Sequence, residues 1–224
     1  MVKFDNVSKK FGSIIALQDA SFEIKKGEFV FVTGPSGAGK TTIIRLLLRE
    51  FRPDKGQVLI ENKDIAELRS WEVPLYRRKI GVVFQDFKLL PDRTVFENVS
   101  LALEITGQDK NSQNRIMEAL KEVDLVERAD LFPRQLAGGE QQRAVIARAL
   151  VGNPKIILAD EPTGNLDPTT GKQIVSLLDK AASGGTTVIM ATHNENLVNS
   201  LKRRVIQMRK GKVASDKIGG RYEE

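Results

Sequence analysis

The sequence contains no cysteine, one histidine and one tryptophan among its 224 residues. The lack of cysteine excludes disulfide bonds and cysteine-based metal sites, and it fits a reducing compartment. No apolar run approaches the roughly 20 residues that a membrane helix needs, so any membrane association must come through a partner or a surface patch. The N-terminus lacks the apolar region of a signal peptide, and we expect none.

Acidic residues are outnumbered by basic ones, 29 to 35, which gives a formal net charge of +6 and a pI near 9.5. Such an excess of basic residues can form a solvated surface, or a surface that contacts anionic lipid beside a membrane partner. Nucleic acid is the weaker alternative, because no basic stripe with interleaved aromatic residues is present. The excess is concentrated in three clusters: Arg77-Arg78-Lys79, Lys202-Arg203-Arg204 and Arg209-Lys210-Gly211-Lys212.

Strand-like and helix-like segments alternate along the chain, which predicts an α/β fold. Continuous apolar runs suit a mostly parallel central sheet that is covered on both faces. We predict its strands at 29–33, 80–84, 156–160 and 186–191, and a helix at 41–50. The segments 2–4, 21–24 and 58–60 predict a small antiparallel sheet in the N-terminal part.

Strand patterns are missing between about residues 88 and 152. Helical spacing of apolar residues at 96–105, 112–123 and 139–151 predicts an inserted helical subdomain there. We therefore predict one domain over residues 1–224 that carries this insertion, and we expect the terminal residues 219–224 to fray.

A glycine-rich segment lies between a predicted strand and a predicted helix, the context that a phosphate-binding loop requires. Small residues let backbone N–H groups wrap phosphates, the lysine neutralises the β- and γ-phosphates, and the hydroxyl of Thr41 can ligate Mg²⁺. The predicted nucleotide-binding residues here are Gly34, Pro35, Ser36, Gly37, Ala38, Gly39, Lys40, Thr41 and the following Thr42.

Two adjacent carboxylates, Asp160 and Glu161, end the apolar segment 156–159. Adjacent carboxylates are usually surface charge, but the end of a buried strand places these two beside the phosphate-binding loop. Asp160 fits a residue that holds Mg²⁺, usually through water. Glu161 fits a general base that orients and activates the attacking water.

Two glycines, Gly138 and Gly139, open the predicted helix 139–151 within the octet Leu136-Ala137-Gly138-Gly139-Glu140-Gln141-Gln142-Arg143. Backbone N–H groups at a helix start can bind an anion. The octet is similar to the signature motif of the ABC ATPases, except that Ala137 stands where that family usually has serine. With the phosphate-binding loop and the paired carboxylates, nearly the whole chain resembles the ABC-type nucleotide-binding domain of the P-loop NTPases.

This resemblance implies an ATPase that works as a head-to-tail homodimer with ATP between the two copies. In that arrangement Ala137, Gly138, Gly139 and Glu140 contact the ATP held by the other subunit. The resemblance also assigns roles to residues that carry little signal alone. Phe11 stacks on adenine, Gln85 contacts Mg²⁺ and the water, Asp167 lies in a loop at the dimer interface, and His193 contacts the γ-phosphate. From the residues alone, an aromatic such as Phe11 is more often a core residue, and a lone histidine such as His193 is more often structural.

Segments 46–50 and 82–99 further resemble the FtsE subfamily, the ABC ATPases of bacterial cell division. That likeness implies a polytopic membrane partner, FtsX, a location on the cytoplasmic face of the membrane at the division septum, and control of peptidoglycan hydrolases. The alternative is the ATPase of a lipoprotein-release or macrolide-export transporter, which shares Phe84-Gln85 and Leu89-Leu90-Pro91. Too few residues separate Lys40 from Leu136 for the coiled-coil arms of chromosome and DNA-repair ATPases.

The partner is expected to dock a short cytoplasmic helix between the segment at Gln85 and the helical insertion. Phe87, Leu89 and Leu90 are candidates to line that groove, and packing inside the insertion is the equal alternative for these three side chains.

Overall fold

The computed structural model describes residues 1–107 and 112–222. The strands in these residues are β1 (Val2–Phe11), β2 (Ile14–Ile24), β3 (Phe29–Thr33), β4 (Lys55–Ile60), β5 (Lys63–Asp64), β6 (Ile80–Phe84), β7 (Ile156–Asp160), β8 (Thr187–Ala191), β9 (Arg204–Arg209) and β10 (Lys212–Lys217). The helices are α1 (Lys40–Leu47), α2 (Glu72–Arg77), α3 (Val95–Thr106), α4 (Ser112–Glu122), α5 (Gly138–Leu150), α6 (Pro168–Ser183) and α7 (Glu195–Leu201), with short 3-10 turns at Ile65–Glu67, Val126–Arg128 and Pro133–Gln135.

The central sheet has six strands in the order β10-β9-β3-β8-β7-β6. All of its pairings are parallel except that of β10 with β9. Phe84, Asp160 and Ala191 share one register row, so β6, β7 and β8 end at the same edge. The mostly parallel central sheet is confirmed, and the segments that follow these strands meet at that edge.

Alternate residues of the sheet feed two hydrophobic cores, because successive strand side chains point to opposite faces. Phe31, Ile157 and Met190 pack with the helices of the insertion and with α6. Val32 and Leu158 pack on the opposite face with α1 and the N-terminal strands. Burial on both faces explains why these strands are continuous apolar runs in the sequence.

The predicted N-terminal antiparallel sheet is confirmed, with the strand order β2-β1-β4-β5. Its first two strands are much longer than the predicted segments, because β1 and β2 form one long ribbon with several register shifts. Polar residues alternate with buried ones along this ribbon, so its apolar segments looked shorter in the sequence than the strands are.

Three helices, α3, α4 and α5, lie between β6 and β7 and share a core with one face of the sheet. A Cβ at Gly81 would lie 2.7 Å from the carbonyl oxygen of Ala149, so the end of α5 packs directly on β6. The division of the chain into one domain with an insertion at about 88–152 stays a prediction, and residues 108–111 of that range lie outside the described residues.

Local capping decides where the helices begin and end. Gly39 caps α1, so this helix begins at Lys40. The helix ends at Leu47, three residues before the predicted end, and Arg49 follows with a φ of 57°. Thr94 and Glu97 form a capping box that begins α3. None of the helices within the described ranges has the length and apolar character to span a bilayer.

The predicted fraying of the C-terminus is wrong for its described part. Gly220 is buried against Val205, and the backbone N–H of Tyr222 donates to Asn199 Oδ1 at 2.9 Å. The half-buried Tyr222 packs on the core below the sheet edge. Glu223 and Glu224 lie outside the described residues.

Candidate functional site

The phosphate-binding loop connects β3 to α1 and depends on two glycines. Gly34 has a φ of 136°, and a Cβ there would lie 2.2 Å from the carbonyl oxygen of Met208. Gly39 has a φ of 107°, and its Cβ would lie 2.6 Å from the carbonyl oxygen of Ala16. Only glycine fits either position. The loop is thus forced to present its backbone N–H groups at the start of α1, where an anion is favoured.

Lys40 lies along the inside of this loop. Its ammonium donates to the carbonyl oxygens of Gly34 at 2.7 Å and Pro35 at 3.1 Å, and it lies 4.0 Å from the Glu161 carboxylate. The side chain is only 9% exposed. A buried cation held mainly by loop carbonyls is available to exchange them for phosphate oxygens.

A pocket of about 640 Å³ opens above the loop. It brings together Lys40, Gln85, Glu161 and His193, whose segments are far apart in the sequence. The complete lining is Ile14, Ala16, Pro35, Ser36, Gly37, Gly39, Lys40, Thr41, Thr42, Gln85, Glu161, His193 and Tyr222. Gly34 and the buried Ala38 belong to the loop behind this lining.

Asp160 accepts a hydrogen bond from the Thr41 hydroxyl at 3.3 Å. Burial raises the pKa of its carboxyl group, and the neighbouring Glu161 adds to the increase. A hydroxyl and a destabilised carboxylate side by side offer the hard oxygen ligands that Mg²⁺ prefers. The described residues contain no cluster of three His, Cys, Asp or Glu that could hold a metal ion. These two residues therefore fit a Mg²⁺ that is held mainly by nucleotide phosphates.

Glu161 is fixed by its backbone and by His193. Its φ is 48°, a strained value for a residue with a side chain, and its N–H donates to the carbonyl oxygen of Ala191 at 2.9 Å. Its Oε1 shares a hydrogen bond of 2.7 Å with Nδ1 of His193. The imidazole is 67% exposed and reaches the pocket from the segment after β8. This pair leaves the carboxylate aimed at the space above Lys40.

Gln85 is held by a partner that the sequence did not indicate. Its Nε2 donates to Asn165 Oδ1 at 3.1 Å, and Asn165 Nδ2 donates to the backbone carbonyl of Gln85 at 3.3 Å. A Cβ at Gly164 would lie 2.8 Å from Gln85 Nε2, so glycine is needed for this approach. The spacing of the motif places Asn165 beside Asp167 but does not predict that its amide faces Gln85.

Asp167 serves as the N-cap of α6. Its Oδ1 accepts hydrogen bonds from the N–H groups of Thr169 at 3.0 Å and Thr170 at 3.1 Å. A hydrogen bond from the Thr170 side chain, together with these backbone bonds, holds the pKa of its carboxyl group below the usual value. The structure accounts for this aspartate as a helix cap, and its contact across a dimer interface stays a prediction.

The signature residues lie at the start of α5, and none of Ala137, Gly138, Gly139 and Glu140 lines the phosphate pocket of their own chain. The N–H of Ala137 donates to Glu140 Oε2 at 2.9 Å, which is the main reason that the pKa of Glu140 is lowered. A Cβ at Gly139 would lie 2.6 Å from Thr170 Cγ2. This helix start therefore packs beside α6, apart from the pocket that it is predicted to complete.

Phe11 lies at the end of β1 and is 39% exposed. Its ring contacts Phe51 edge-on, with 4.9 Å between centroids, and it does not line the pocket. Its strand partner Ile14 does line the pocket, so Phe11 flanks the mouth. Its stacking on adenine stays a prediction. Ile14, Ala16 and Tyr222 are pocket residues that sequence reasoning missed, because apolar or terminal residues carry no recognisable motif.

A second concavity, of about 490 Å³, lies between the edge strand β6 and helices α3 and α5, and we call it the β6 groove. Phe87, Leu89 and Leu90 were predicted either to line a docking groove or to pack inside the insertion. Phe87 and Leu89 pack against the core, Leu90 is exposed, and none of the three lines the groove. Its walls are Pro74, Arg77, Arg78, Ile80, Gly81, Val82, Phe84, Lys88, Leu101, Ala102, Ile105, Arg148, Ala149, Gly152 and Pro154.

Residues 17–164 match the family model described as ABC transporter. Over 224 residues the chain is 50% identical to the cell division ATP-binding protein FtsE of Bacillus subtilis (strain 168), covering 99% of this chain and 98% of that protein. The chain belongs to the FtsE family of ABC ATPases. It is also 44% identical over 213 residues to FtsE of Escherichia coli (strain K12), covering 94% of this chain and 96% of that protein.

A solved structure supports the ABC cassette fold. This structure is that of the ATP-binding cassette MJ0796, described as a dimer in a post-hydrolysis state bound to ADP and Pi. It superimposes with a TM-score of 0.86 at 40% sequence identity, and the match covers 99% of this chain and 100% of that chain. The ABC cassette fold predicted from the sequence is confirmed. This FtsE-family chain is an ATPase that binds ATP. That the nucleotide lies in the pocket above the phosphate-binding loop stays a prediction.

Proposed function

We propose that this chain is the ATP-hydrolysing subunit of an FtsEX-type membrane complex in bacterial cell division. Two copies close on ATP, and the closure changes the conformation of the membrane protein FtsX, which regulates hydrolysis of septal peptidoglycan. The observation that carries this proposal is the similarity to FtsE proteins over nearly the whole length of both chains. The pocket chemistry supports the hydrolytic half of the proposal, and the position of the signature helix supports the dimer.

In the proposed reaction the chain's residues position charge and water. The N–H groups of the loop and Lys40 hold the phosphates, because the phosphoryl transition state carries negative charge on its terminal oxygens. Thr41 and Asp160 would hold Mg²⁺, which neutralises charge on the phosphates. Glu161 accepts a proton from the attacking water, and its bond to His193 fixes the carboxylate for that step.

The second copy supplies the start of its α5 to the phosphates. In one chain these residues lie outside the nucleotide pocket, so this helix start can contact the phosphates only of a nucleotide bound to another copy of the chain. Backbone N–H groups of Gly138 and Gly139 and the helix dipole provide the attraction. The proposed arrangement is the head-to-tail homodimer, with Asp167 close to its interface.

The β6 groove is the proposed docking site for a cytoplasmic segment of FtsX. It combines apolar walls with the cations Arg78 and Lys88, and it lies beside the segment that holds Gln85. Arg78 makes no ion pair within residues 1–107 and 112–222, and neither does Lys79. Arg203 and Arg204, by contrast, are paired with acidic side chains. Arg209, Lys210 and Lys212 likewise make no ion pair among the described residues, so the proposed anionic lipid contact, on the cytoplasmic face of the septal membrane, involves the cations near Arg78 or those near Lys210.

Membrane recruitment tests the cell-division role. Expressed alone, the chain should remain mostly in the supernatant after ultracentrifugation, and co-expression with FtsX should move it to the membrane fraction. Co-expression with a lipoprotein-release permease is the matched control and should leave it in the supernatant. Equal recruitment by both membrane proteins, or by neither, would contradict the FtsX assignment.

A further inference from the structure

The backbone takes an unusual course directly after Gln85. Phe87 and Lys88 have φ values of 55° and 50°, in the left-handed region that side chains disfavour. The N–H of Lys88 donates to the carbonyl oxygen of Asp86, which closes a three-residue turn centred on Phe87. Turns of this kind with positive φ are rare and strained, so other contacts must hold them.

Arg148 from α5 supplies those contacts. Its guanidinium donates to the carbonyl oxygen of Lys88 at 2.7 Å and to that of Phe87 at 3.1 Å. The planar fork of arginine suits two adjacent acceptors, whereas lysine offers a single point charge. Burial lowers the pKa of this guanidinium, and no carboxylate among the described residues forms an ion pair with it. Its charge is therefore balanced chiefly by the carbonyl dipoles of this turn.

The same helix also reaches the residue before Gln85. Gln142 is fully buried, and its Nε2 donates to the carbonyl oxygen of Phe84 at 3.4 Å. Helix α5 thus contacts the backbone on both sides of Gln85. The tight approach of Gly81 to Ala149 leaves little freedom between α5 and β6.

We propose that Arg148 is a positioning residue for ATP hydrolysis, because it holds the turn at Phe87 and Lys88 and so fixes the Gln85 amide against Asn165 at the nucleotide pocket. The proposal rests on the proposed role of Gln85 in hydrolysis. Arg148 belongs to the helix whose opposite end carries the signature residues, and it also lines the β6 groove. One side chain therefore links the signature helix, the groove and the pocket.

Arg148→Lys tests this role, with Arg115→Lys as the matched control. Arg115 also donates to a backbone carbonyl, that of Val151 at 2.8 Å, which is not part of the turn after Gln85. We expect R148K to lower kcat about tenfold, which corresponds to an increase of about 1.4 kcal/mol in the activation barrier. The KM for ATP should change less than about twofold, because the phosphate-binding loop is intact. R148K should also raise the Mg²⁺ concentration for half-maximal rate. R115K should leave both kcat and the Mg²⁺ concentration for half-maximal rate unchanged.

Lys88→Gly provides a rescue that a merely structural arginine would not allow. Glycine adopts positive φ without strain, so R148K/K88G should recover part of the lost kcat and the Mg²⁺ dependence. Thermal unfolding of each variant shows whether it is folded. Should R148K unfold, the same comparison is made with Arg148→Gln, which still donates one hydrogen bond.

Gln85→Ala separates the two claims. If Gln85→Ala keeps the parent rate, the proposed role of Gln85 fails. If Gln85→Ala is slow, R148K/Q85A should be no slower than Q85A, because Arg148 acts through Gln85. A folded R148K protein that matches R115K in kcat and Mg²⁺ dependence, or a further loss in the double variant, would overturn the assignment of Arg148.

Discussion

At the scale of single residues, the ionised Asp160 carboxylate that suits Mg²⁺ binding also lowers the stability of the folded protein. Its carboxyl group lies at the end of a buried strand beside Glu161, and burial raises its pKa. Ionised Asp160 therefore costs folding free energy when no nucleotide and Mg²⁺ are present. A charge kept in an unfavourable place is typical of functional sites, since it is stabilised only when the cation arrives.

Asp160→Asn is expected to raise the melting temperature of the nucleotide-free protein and to abolish hydrolysis. The sign follows from linkage: a raised folded-state pKa favours the protonated form on folding, so the penalty of the parent grows as pH rises from the ordinary aspartate value of 3.8 through the folded pKa. The stabilisation by asparagine should therefore be larger at pH 7 than at pH 4. Differential scanning calorimetry at both values checks this, and a variant less stable than the parent at pH 7 would contradict it.

Some residues of the pocket could be predicted from the sequence, whereas contacts between distant segments could not. Lys40 and Thr41 follow from a motif whose backbone is fixed by glycines, and both line the pocket. The pairing of Gln85 with Asn165 depends on how two distant segments meet, and no local pattern encodes it. Tyr222 was missed for the same reason, because its place in the pocket comes from packing on the core.

At the scale of elements, buried strands were the most predictable. The segments 29–33, 80–84 and 156–160 match β3, β6 and β7. β3 and β7 are buried on both faces, and such strands must be apolar almost throughout. Caps such as Gly39 and Thr94 decide where α1 and α3 begin, within one residue of the prediction. The largest shift, three residues, is at the end of α1, which Leu48 and Arg49 with its positive φ follow. The sequence left open whether Phe87 lines a groove or packs inside the insertion, and after the turn that follows Gln85 this half-buried side chain packs against the core.

Helix α5 begins without a side-chain cap, because alanine occupies position 137. Ala137→Ser should have two separable effects. The hydroxyl can cap the helix, which stabilises the free chain by about 1 kcal/mol. In the proposed dimer it can also donate a charge-assisted bond to the γ-phosphate, worth roughly 1.5–3 kcal/mol.

Thermal unfolding without ATP measures the first effect of Ala137→Ser, and sedimentation velocity with ATP and Mg²⁺ measures the second. We expect a higher melting temperature and a dimer that forms at lower protein concentration, with faster basal turnover. Ser100→Ala, at a half-buried position of α3 outside the signature helix, is a control for the effect of substitution itself and should leave dimerisation unchanged. If A137S raises stability but leaves ATP-driven dimerisation and turnover as in the parent, backbone N–H groups alone account for the phosphate contact.

At the scale of the whole molecule, the two halves of the proposed catalytic site lie in separate places on one chain. The pocket contains the phosphate-binding loop, Glu161 and His193, while Gly138 and its neighbours lie outside it. The two halves can act on one ATP only if two chains associate head to tail. The central claim is therefore that each hydrolytic site is built from two copies of this chain.

Mixing two inactive variants tests this claim most directly. Glu161→Gln removes the general base, and Gly138→Asp places a carboxylate at the helix start, where it repels phosphate. A Cβ at Gly138 meets nothing closer than 3.7 Å, so this variant should keep its fold. Each variant alone should lack ATPase activity, but a mixed dimer contains one site with an intact Glu161 and an intact signature helix. The account predicts that hydrolysis returns on mixing, and folded variants that stay inactive at concentrations where mixed dimers form would contradict it.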